Sequence, residues 1–406
     1  MTTVDLDLDL TDPATFAGGF PHDYFAARRA EEPVFFHAGR YVPLDFWVVT
    51  KYHDLINVSR DAATYSSERQ GVLLDAPQGG TELMLVNQDA PRHTRLRNLV
   101  ARMFTPKYIR ELVPLMRTSA AALVDRAIEV GEFDFVTEVA AELPLIVIAD
   151  LLGIPQEDRG KVFHWSNRMI GRADPEYGIT DDEASVTAMT AAAELFEYAS
   201  ALAEERGKEP RDDIVSKLLT SDVDGELLTH DEFIFFFLLL AVAGNETTRN
   251  LISGGAVALH EFPDQYDLLV ANREALLPSA VEEMLRFVSP VISFRRTVTR
   301  DTLLNGVPLT ENDTVVMFYG SANRDEAVYA DPDRFDITRS PNDHVAFGGR
   351  GPHHCLGANL AREEIRIIYD ELLGRADLTL TGEPVRLHSN LISGIKHLPV
   401  RVTPRS

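Results

Sequence analysis

Apolar residues recur at three- and four-residue spacing through most of the middle of the chain, the signature of helices with one buried face. The spacing predicts helices over 21–30, 52–60, 91–104, 106–130, 136–152, 156–171 and 181–207. Pro21 and Pro106 stand at the first turn, where a missing N–H costs nothing. Thr229-His-Asp-Glu232 has the form of a capping box and opens a long helix to about residue 259, with Phe233, Phe236, Phe237 and Leu240 on a broad apolar face. Alternating patterns predict short strands over 34–37 and 46–50, over 291–297 and 303–318 with turns at Asn305-Gly306 and Glu311–Asp313, and paired strands over 378–381 and 387–402. A further helix follows residue 355, with Leu360, Ala361, Ile365, Ile368 and Leu372 on one stripe and Gly374 at its end. Residues 65–90 and 172–180 read as loops. There are no internal repeats and no low-complexity linker. The pattern implies an acidic arm over 1–15 and one mainly α domain with a small β region over 16–406.

Composition narrows the function. The 406 residues are 45% hydrophobic, enough for a large core, and carry a net charge of −24. That charge disfavours nucleic acid and anionic membrane as partners. The longest apolar run, 233–243, is too short for a membrane span, and the acidic N-terminus lacks the basic and apolar regions of a signal peptide. The expectation is a cytoplasmic monomer.

Cys355 is the single cysteine. It lies in Ala346-Phe-Gly-Gly-Arg-Gly-Pro-His-His-Cys-Leu-Gly357, where four glycines and a proline let backbone approach a flat partner. The helix that follows places its free N–H groups and positive dipole end beside the sulfur, which favours a thiolate. Taken alone, the cysteine could equally be a small buried hydrophobe. A nucleophile is disfavoured because His353 and His354 are sequence neighbours, and zinc would find few further ligands.

Elsewhere the long helix is interrupted by Ala243-Gly-Asn-Glu-Thr-Thr248, polar groups directly after eleven apolar residues, which implies a bend or a site. His93 and Arg97 share a helix face, which alone would suit a solvated surface. Glu283 and Arg286 are three apart on a helix, a spacing common by chance.

Together these stretches resemble the cytochrome P450 family in order, type and distance over roughly residues 20–400. The cysteine loop resembles the family's haem-binding loop through Phe347, Gly348, Gly351, His353, Cys355 and Gly357, although Phe347 stands eight residues before the cysteine instead of seven. The resemblance implies the cytochrome P450 fold and haem (heme b) with Cys355 as axial ligand. Around the haem it would place His93, Arg97 and Arg296 at the propionates, with Ala243, His353, Phe347, Gly349 and Gly357 also lining the cofactor. Thr247 would steady dioxygen and Glu246 relay protons. Glu283, Arg286 and Arg334 would form a buried structural set. Val242, Val291, Ile292, Leu391 and Ile392 would line an apolar substrate pocket.

The implied function is insertion of oxygen from O2 into a C–H bond of an apolar small molecule, with electrons from a ferredoxin and ferredoxin reductase. Arg92, Arg95, Arg102, Arg350 and Arg362 would form the docking face. The run Ala-Gly-Asn-Glu-Thr-Thr-Arg-Asn and Ser389-Asn-x-x-x-Gly-Ile-Lys396 look like the actinobacterial sterol and methyl-branched-lipid hydroxylases. The alternatives are tailoring of a terpenoid or macrolide, a peroxide-driven haem enzyme, which should lack the Glu246-Thr247 pair, and a non-catalytic haem sensor, which would not need it.

Overall fold

The computed structural model describes residues 6–75, 81–171, 173–177, 181–220, 222–223 and 226–405. Parts of the arm (1–5) and of the two expected loops (76–80, 172 and 178–180) lie outside them.

At the front, α1 (His22–Glu31) and α2 (Tyr52–Arg60) flank the hairpin of β1 (Val34–Ala38) and β2 (Asp45–Val49), and β3 (Tyr65–Ser66) follows. Then come α3 (Arg92–Ala101), α4 (Pro106–Val130), β4 (Glu132–Asp134), α5 (Glu142–Leu152), α6 (Arg159–Ile170), α7 (Asp181–Lys208) and α8 (Ile214–Thr220). A small hairpin, β5 (Asp222–Val223) and β6 (Glu226–Leu227), leads to α9 (His230–Glu261), α10 (Pro263–Ala271) and α11 (Arg273–Val288). The last part holds β7 (Ser293–Val298), β8 (Thr302–Leu304), β9 (Val307–Leu309), β10 (Thr314–Phe318), the single turn α12 (Tyr319–Ala322) and α13 (Ala358–Arg375). It ends with β11 (Ala376–Leu380), β12 (Val385–Arg386), β13 (Ile395–His397) and β14 (Pro399–Pro404).

The helices form where the apolar stripes place them. Thr229 caps α9 through the Glu232 N–H, and Glu232 returns the bond to the Thr229 N–H, closing the capping box. α9 runs through the helical core, packed on α5, α6, α7, α11 and α13, with Phe233, Phe236, Phe237 and Leu251 buried. One expected helix differs: residues 136–140 form a wider π-type turn, Ala141 N–H reaching back to Val136 O, just before Pro144, which has no N–H to continue the ladder. Asn305 and Gly306 both take positive φ and close the β8–β9 hairpin, as that dipeptide requires.

The front sheet has the order β1-β2-β10-β7-β3, so β7 and the Arg296 it carries sit inside the sheet. The arm is not solvated throughout. Leu10 and Thr11 are buried, and Asp9 accepts bonds from the Thr11 and Tyr41 N–H groups, which hold its carboxyl at about 2 against the upward push of burial.

On α13, Glu364 is buried with one carboxyl oxygen unpartnered, and burial pushes its pKa from 4.5 up to about 8. A raised acid stabilises the fold fully below the unfolded value of 4.5, and that stability is lost as pH climbs through 8. Glu364→Gln should therefore flatten the fall in stability over that window, which otherwise runs at about 1.4 kcal/mol per pH unit. Thermal unfolding of both proteins across the window checks this; parallel pH profiles would refute it.

Candidate active site

The loop before α13 wraps around the end of α2. Gly348 takes a φ of +97°, and a Cβ on Gly351 would fall 1.8 Å from Ser59 O, so a side chain there would collide with backbone. A Cβ on Gly349 would strike the Ser59 side chain. The glycines at 349 and 351 thus allow the loop to pack on α2, which is a different reason from approach to a flat cofactor. The Cys355 N–H donates to Phe347 O at 2.9 Å, and the Gly357 N–H points at the Cys355 sulfur.

Cys355 is open at its surface, yet protein atoms crowd it on all sides, so it lines an internal space. Burial pushes its thiol up, while the Gly357 N–H, Arg97 and Arg362 favour the thiolate. Phe347 packs away from the sulfur: the Arg362 guanidinium lies 4.6 Å over its ring, and the His344 and His354 rings flank it. Arg362 is in turn held by Glu282 through both Nε and Nη2.

His93, Arg97, Arg296 and His353 converge on one side of this space. The His93 and His353 rings are 4.1 Å apart. The His93 Nε2 is buried with no partner. Arg97 donates to His354 O at 2.6 Å and Arg296 to Arg295 O at 2.7 Å. Among the described residues neither guanidinium pairs with a carboxylate. Burial drives His353 down to about 2, helped by Arg296, His93 and Arg97, and drives His93 down as well. A buried and a half-buried guanidinium beside an orphaned imidazole nitrogen, without an anion, are costly to assemble. They fit a group that brings carboxylates of its own, as a haem does with its propionates, and the open sulfur fits an axial ligand.

A second open stretch comes from the interrupted part of α9. Ala243 is exposed and Val242, Gly244 and Thr247 are partly so, although the helix on either side is buried. Ala243 and Thr247 are four apart and share a face. The Thr247 hydroxyl donates to Ala243 O at 2.7 Å. Glu246 lies elsewhere. Its carboxylate is buried in an ion pair with Arg249 and accepts from Ser166 Oγ at 3.4 Å, and Arg249 also reaches Asn167 Oδ1 at 2.8 Å on α6. Burial pushes the Glu246 carboxyl up against the pull of Arg249. The expected acid–alcohol pair is adjacent in sequence but not hydrogen-bonded.

Val291 bridges Ile392, and the Ile292 N–H donates to Leu391 O at 2.8 Å, so four of the five residues expected at the substrate meet, Val242 being on α9. They do not share one face. Ile292 is in the core with Phe25 and Phe318, and Ile392 is buried, which leaves Val291 and Leu391 partly open. Asn250 ties this turn to α9 by accepting from the Ile395 N–H at 2.9 Å.

The structural set is corrected in one member. Glu283 and Arg286 form a bidentate pair at zero exposure. The second arginine on Glu283 is Arg339, whose Nε lies 3.2 Å from Oε2, joined by Asn342. Arg334 gives only its carbonyl, to Arg286 and Arg339, while its half-exposed side chain pairs with Asp264. The motif marks the segment, and the chain direction after Phe335 decides which arginine turns inward. Sequence patterns gave no signal for Ser166, Asn167 or Arg249, since none belongs to a recognisable spacing. Arg339→Met should cost about 3–5 kcal/mol by leaving Glu283 under-compensated. Arg334→Met should cost at most about 1 kcal/mol. Thermal melts of the two variants check this, and equal losses would return Arg334 to the buried set.

The model of the family described as Cytochrome P450 matches residues 182–397. A steroid C26-monooxygenase of Mycobacterium tuberculosis is 44% identical over 98% of this chain and 93% of its own. A methyl-branched lipid omega-hydroxylase of the same organism is 43% identical over 93% of this chain and 90% of its own. Among solved structures, a Mycobacterium marinum cytochrome P450 in complex with pseudoionone superposes with a TM-score of 0.90 at 38% identity, covering 99% of each chain. A Bacillus megaterium P450 in complex with testosterone gives 0.84 at 35% identity, covering 94% of this chain and 97% of that one.

Proposed function

Because the chain belongs to the cytochrome P450 family and is by that membership a haem-thiolate monooxygenase, we propose that Cys355 is its axial ligand and that its substrate is a sterol side chain or a methyl-branched lipid, hydroxylated at or near a chain end. The observation that carries the reading is the opening on α9, where Ala243 and Thr247 stand clear of an otherwise buried helix whose next turn, at Asn250, holds the Ile395 N–H of the turn that carries Leu391.

The bound haem supplies reductive activation of dioxygen, one oxygen atom entering a C–H bond and the other leaving as water, with the thiolate donating electron density to iron. The residues divide the remaining work. Cys355 would ligate the haem iron, its charge steadied by the Gly357 N–H, Arg97 and Arg362. His93, Arg97 and Arg296 would hold the haem's carboxylates. Val242, Ala243, Val291 and Leu391 exclude water and bind hydrocarbon by burial, at roughly 25 cal/mol per Å², so large apolar molecules gain most. Thr247 presents a hydroxyl to the cavity. Glu246, its carboxyl raised by burial against the pull of Arg249, would pass on a proton by turning from Arg249 toward that hydroxyl.

Electrons come from a ferredoxin and its reductase. The docking face is less positive than its arginines suggest, since Arg95, Arg350 and Arg362 pair with Glu232, Asp343 and Glu282. Arg102, directly after α3, is exposed. Among the described residues no helix is long and apolar enough to cross a membrane.

The test is a titration with cholestenone, phytanic acid, a monoterpene and a macrolide, following the spin-state shift of the Soret band. Turnover with a ferredoxin chain is then measured on whichever binds. Tight shifts with the first two are expected. Tight shifts only with the last two would remove the lipid assignment and favour a biosynthetic tailoring role.

A further inference from the structure

The turn that carries Leu391 is held from three sides. The Ile292 N–H donates to Leu391 O and the Ser393 N–H to Pro290 O, each at 2.8 Å, which fixes the turn to the stretch before β7. Asn250 Oδ1 accepts the Ile395 N–H at 2.9 Å, which fixes it to α9 one turn beyond Thr247. Inside the turn, Ser389 Oγ accepts the Leu391 and Ile392 N–H groups at 3.1 Å. The third tie is the Asn390 side chain, whose Nδ2 donates to Thr11 O at 2.8 Å across 379 positions of sequence. Asn390 is 4% exposed and Thr11 is fully buried, so this bond is closed to water.

The carbonyl that receives the Asn390 amide is itself fixed in place. Asp9 Oδ1 accepts from the Thr11 N–H at 3.0 Å and from the Thr11 hydroxyl at 2.7 Å, and Asp9 Oδ2 accepts from the Tyr41 N–H at 2.8 Å. The Val42 N–H donates to Thr11 Oγ1 at 3.1 Å. The N-terminal segment is thereby stapled to the β1–β2 connection. Its Leu10 and Phe16 share one buried cluster with Ile292, Phe25 and Phe318. The segment therefore meets this part of the chain through the buried Ile292 and Asn390, while Val291 and Leu391 beside them stay partly open. Consecutive residues of an extended stretch face opposite ways, so support on one passes directly to the other.

We propose that Asn390 is a positioning residue: by bonding to the Thr11 carbonyl it seats the Leu391 turn against the N-terminal segment and sets how closely Leu391 packs on a bulky apolar ligand. This rests on the reading that the open space beside Thr247 and Leu391 is the substrate site. Such a ligand is gripped by burial and by many short contacts, each lost when a wall stands off by a fraction of an ångström. Without the Asn390 donor, a buried carbonyl is left unpaired, and the turn and the segment gain by separating or admitting water. Leu391, the next residue, moves with the turn. The acidic arm thus serves as the backing of a substrate wall.

The experiment uses the haem-loaded full chain, with clotrimazole as the bulky probe and imidazole as the small one, each followed by the Soret shift that marks nitrogen ligation of iron. Both present the same ligating ring, and only clotrimazole extends from the iron to the walls. Asn390→Leu keeps the bulk and removes the donor. It should weaken clotrimazole binding about tenfold, the scale of one methylene of lost contact, and leave imidazole binding unchanged. Thr11→Val keeps the shape of the arm and removes its bonds to Asp9 and Val42. It should weaken clotrimazole in the same direction, and the double variant should bind no more weakly than Asn390→Leu. Where Asn390→Leu does not accumulate as loaded protein, Thr11→Val alone carries the test. Clotrimazole affinity equal to wild type in a loaded variant, whatever its melting temperature, would overturn the positioning role, as would an equal weakening of imidazole. Additive losses in the double variant would overturn the arm as the route. Wild-type protein that takes imidazole but not clotrimazole would instead remove the space beside Thr247 as a ligand site, and the functional reading with it.

Discussion

Cys355→Ser is expected to abolish the thiolate-type carbon monoxide spectrum and with it monooxygenase turnover, while leaving the helical fold in place. The sulfur is the one group in the chain able to act as a soft anionic ligand, because no other cysteine exists. Its surroundings are arranged for an anion: the Gly357 N–H, Arg97 and Arg362 all favour the charged form, against a burial that raises the free thiol. A serine hydroxyl at the head of α13 keeps the volume and can still meet that N–H, so the loop geometry set by Gly348 and Gly351 should survive. What it would not supply to a bound haem is a soft anionic ligand, so product formation should fall by several orders of magnitude. The measurements are the reduced carbon monoxide difference spectrum, far-UV circular dichroism and product formation with a ferredoxin chain. A serine variant that keeps the thiolate band and turns over would remove Cys355 from the axial position.

The parts of this molecule that were legible from sequence are those where a local rule sufficed. The capping box at Thr229–Glu232 follows from two side chains and two N–H groups within one turn, and α9 starts there. The Asn305-Gly306 turn follows from positive φ alone. The site was harder. His93, Arg97 and Arg296 come from α3 and β7, some two hundred residues apart, and periodicity cannot say that they face one space. Only the family likeness joined them. Side-chain direction escaped both approaches at three places. Arg334 and Arg339 lie in one short segment, and the turn after Phe335 sends Arg339 inward. Val291 and Ile292 are consecutive, so the pleat sends one to the cavity and the other to the core. Phe347 is displaced by one residue, and its ring lies under Arg362. Glu246 and Thr247 are neighbours on a helix, and neighbours on a helix diverge by about 100°. Their separation follows from geometry that a motif does not encode.

That divergence shapes the second large effect. Thr247→Ala should keep haem and substrate binding but divert reducing equivalents to peroxide, and Glu246→Gln should slow product formation roughly 10²-fold with coupling less affected. The two variants differ because the two groups are differently placed. Thr247 is on the open face, its hydroxyl turned back to Ala243 O, and its loss leaves α9 intact because that bond is not part of the helical ladder. Without the hydroxyl, the open face of α9 would lose its local proton donor, and reducing equivalents would leave as peroxide instead of product. Glu246 sits one residue back, buried and paired with Arg249, and must leave that pair to carry a proton. Glutamine can occupy the same site and bond to Ser166 and Arg249, but carries no exchangeable acid proton, so delivery slows at its source. The Glu246→Gln variant should also show a larger solvent isotope effect, since the slowed proton delivery then limits the rate. The checks are the ratio of product to NAD(P)H consumed, peroxide yield, and the rate in heavy water. Unchanged coupling in Thr247→Ala would reject the hydroxyl as the local donor. An unchanged rate in Glu246→Gln would place the proton source elsewhere and leave the Glu246–Arg249–Asn167 network as a purely structural tie between α9 and α6.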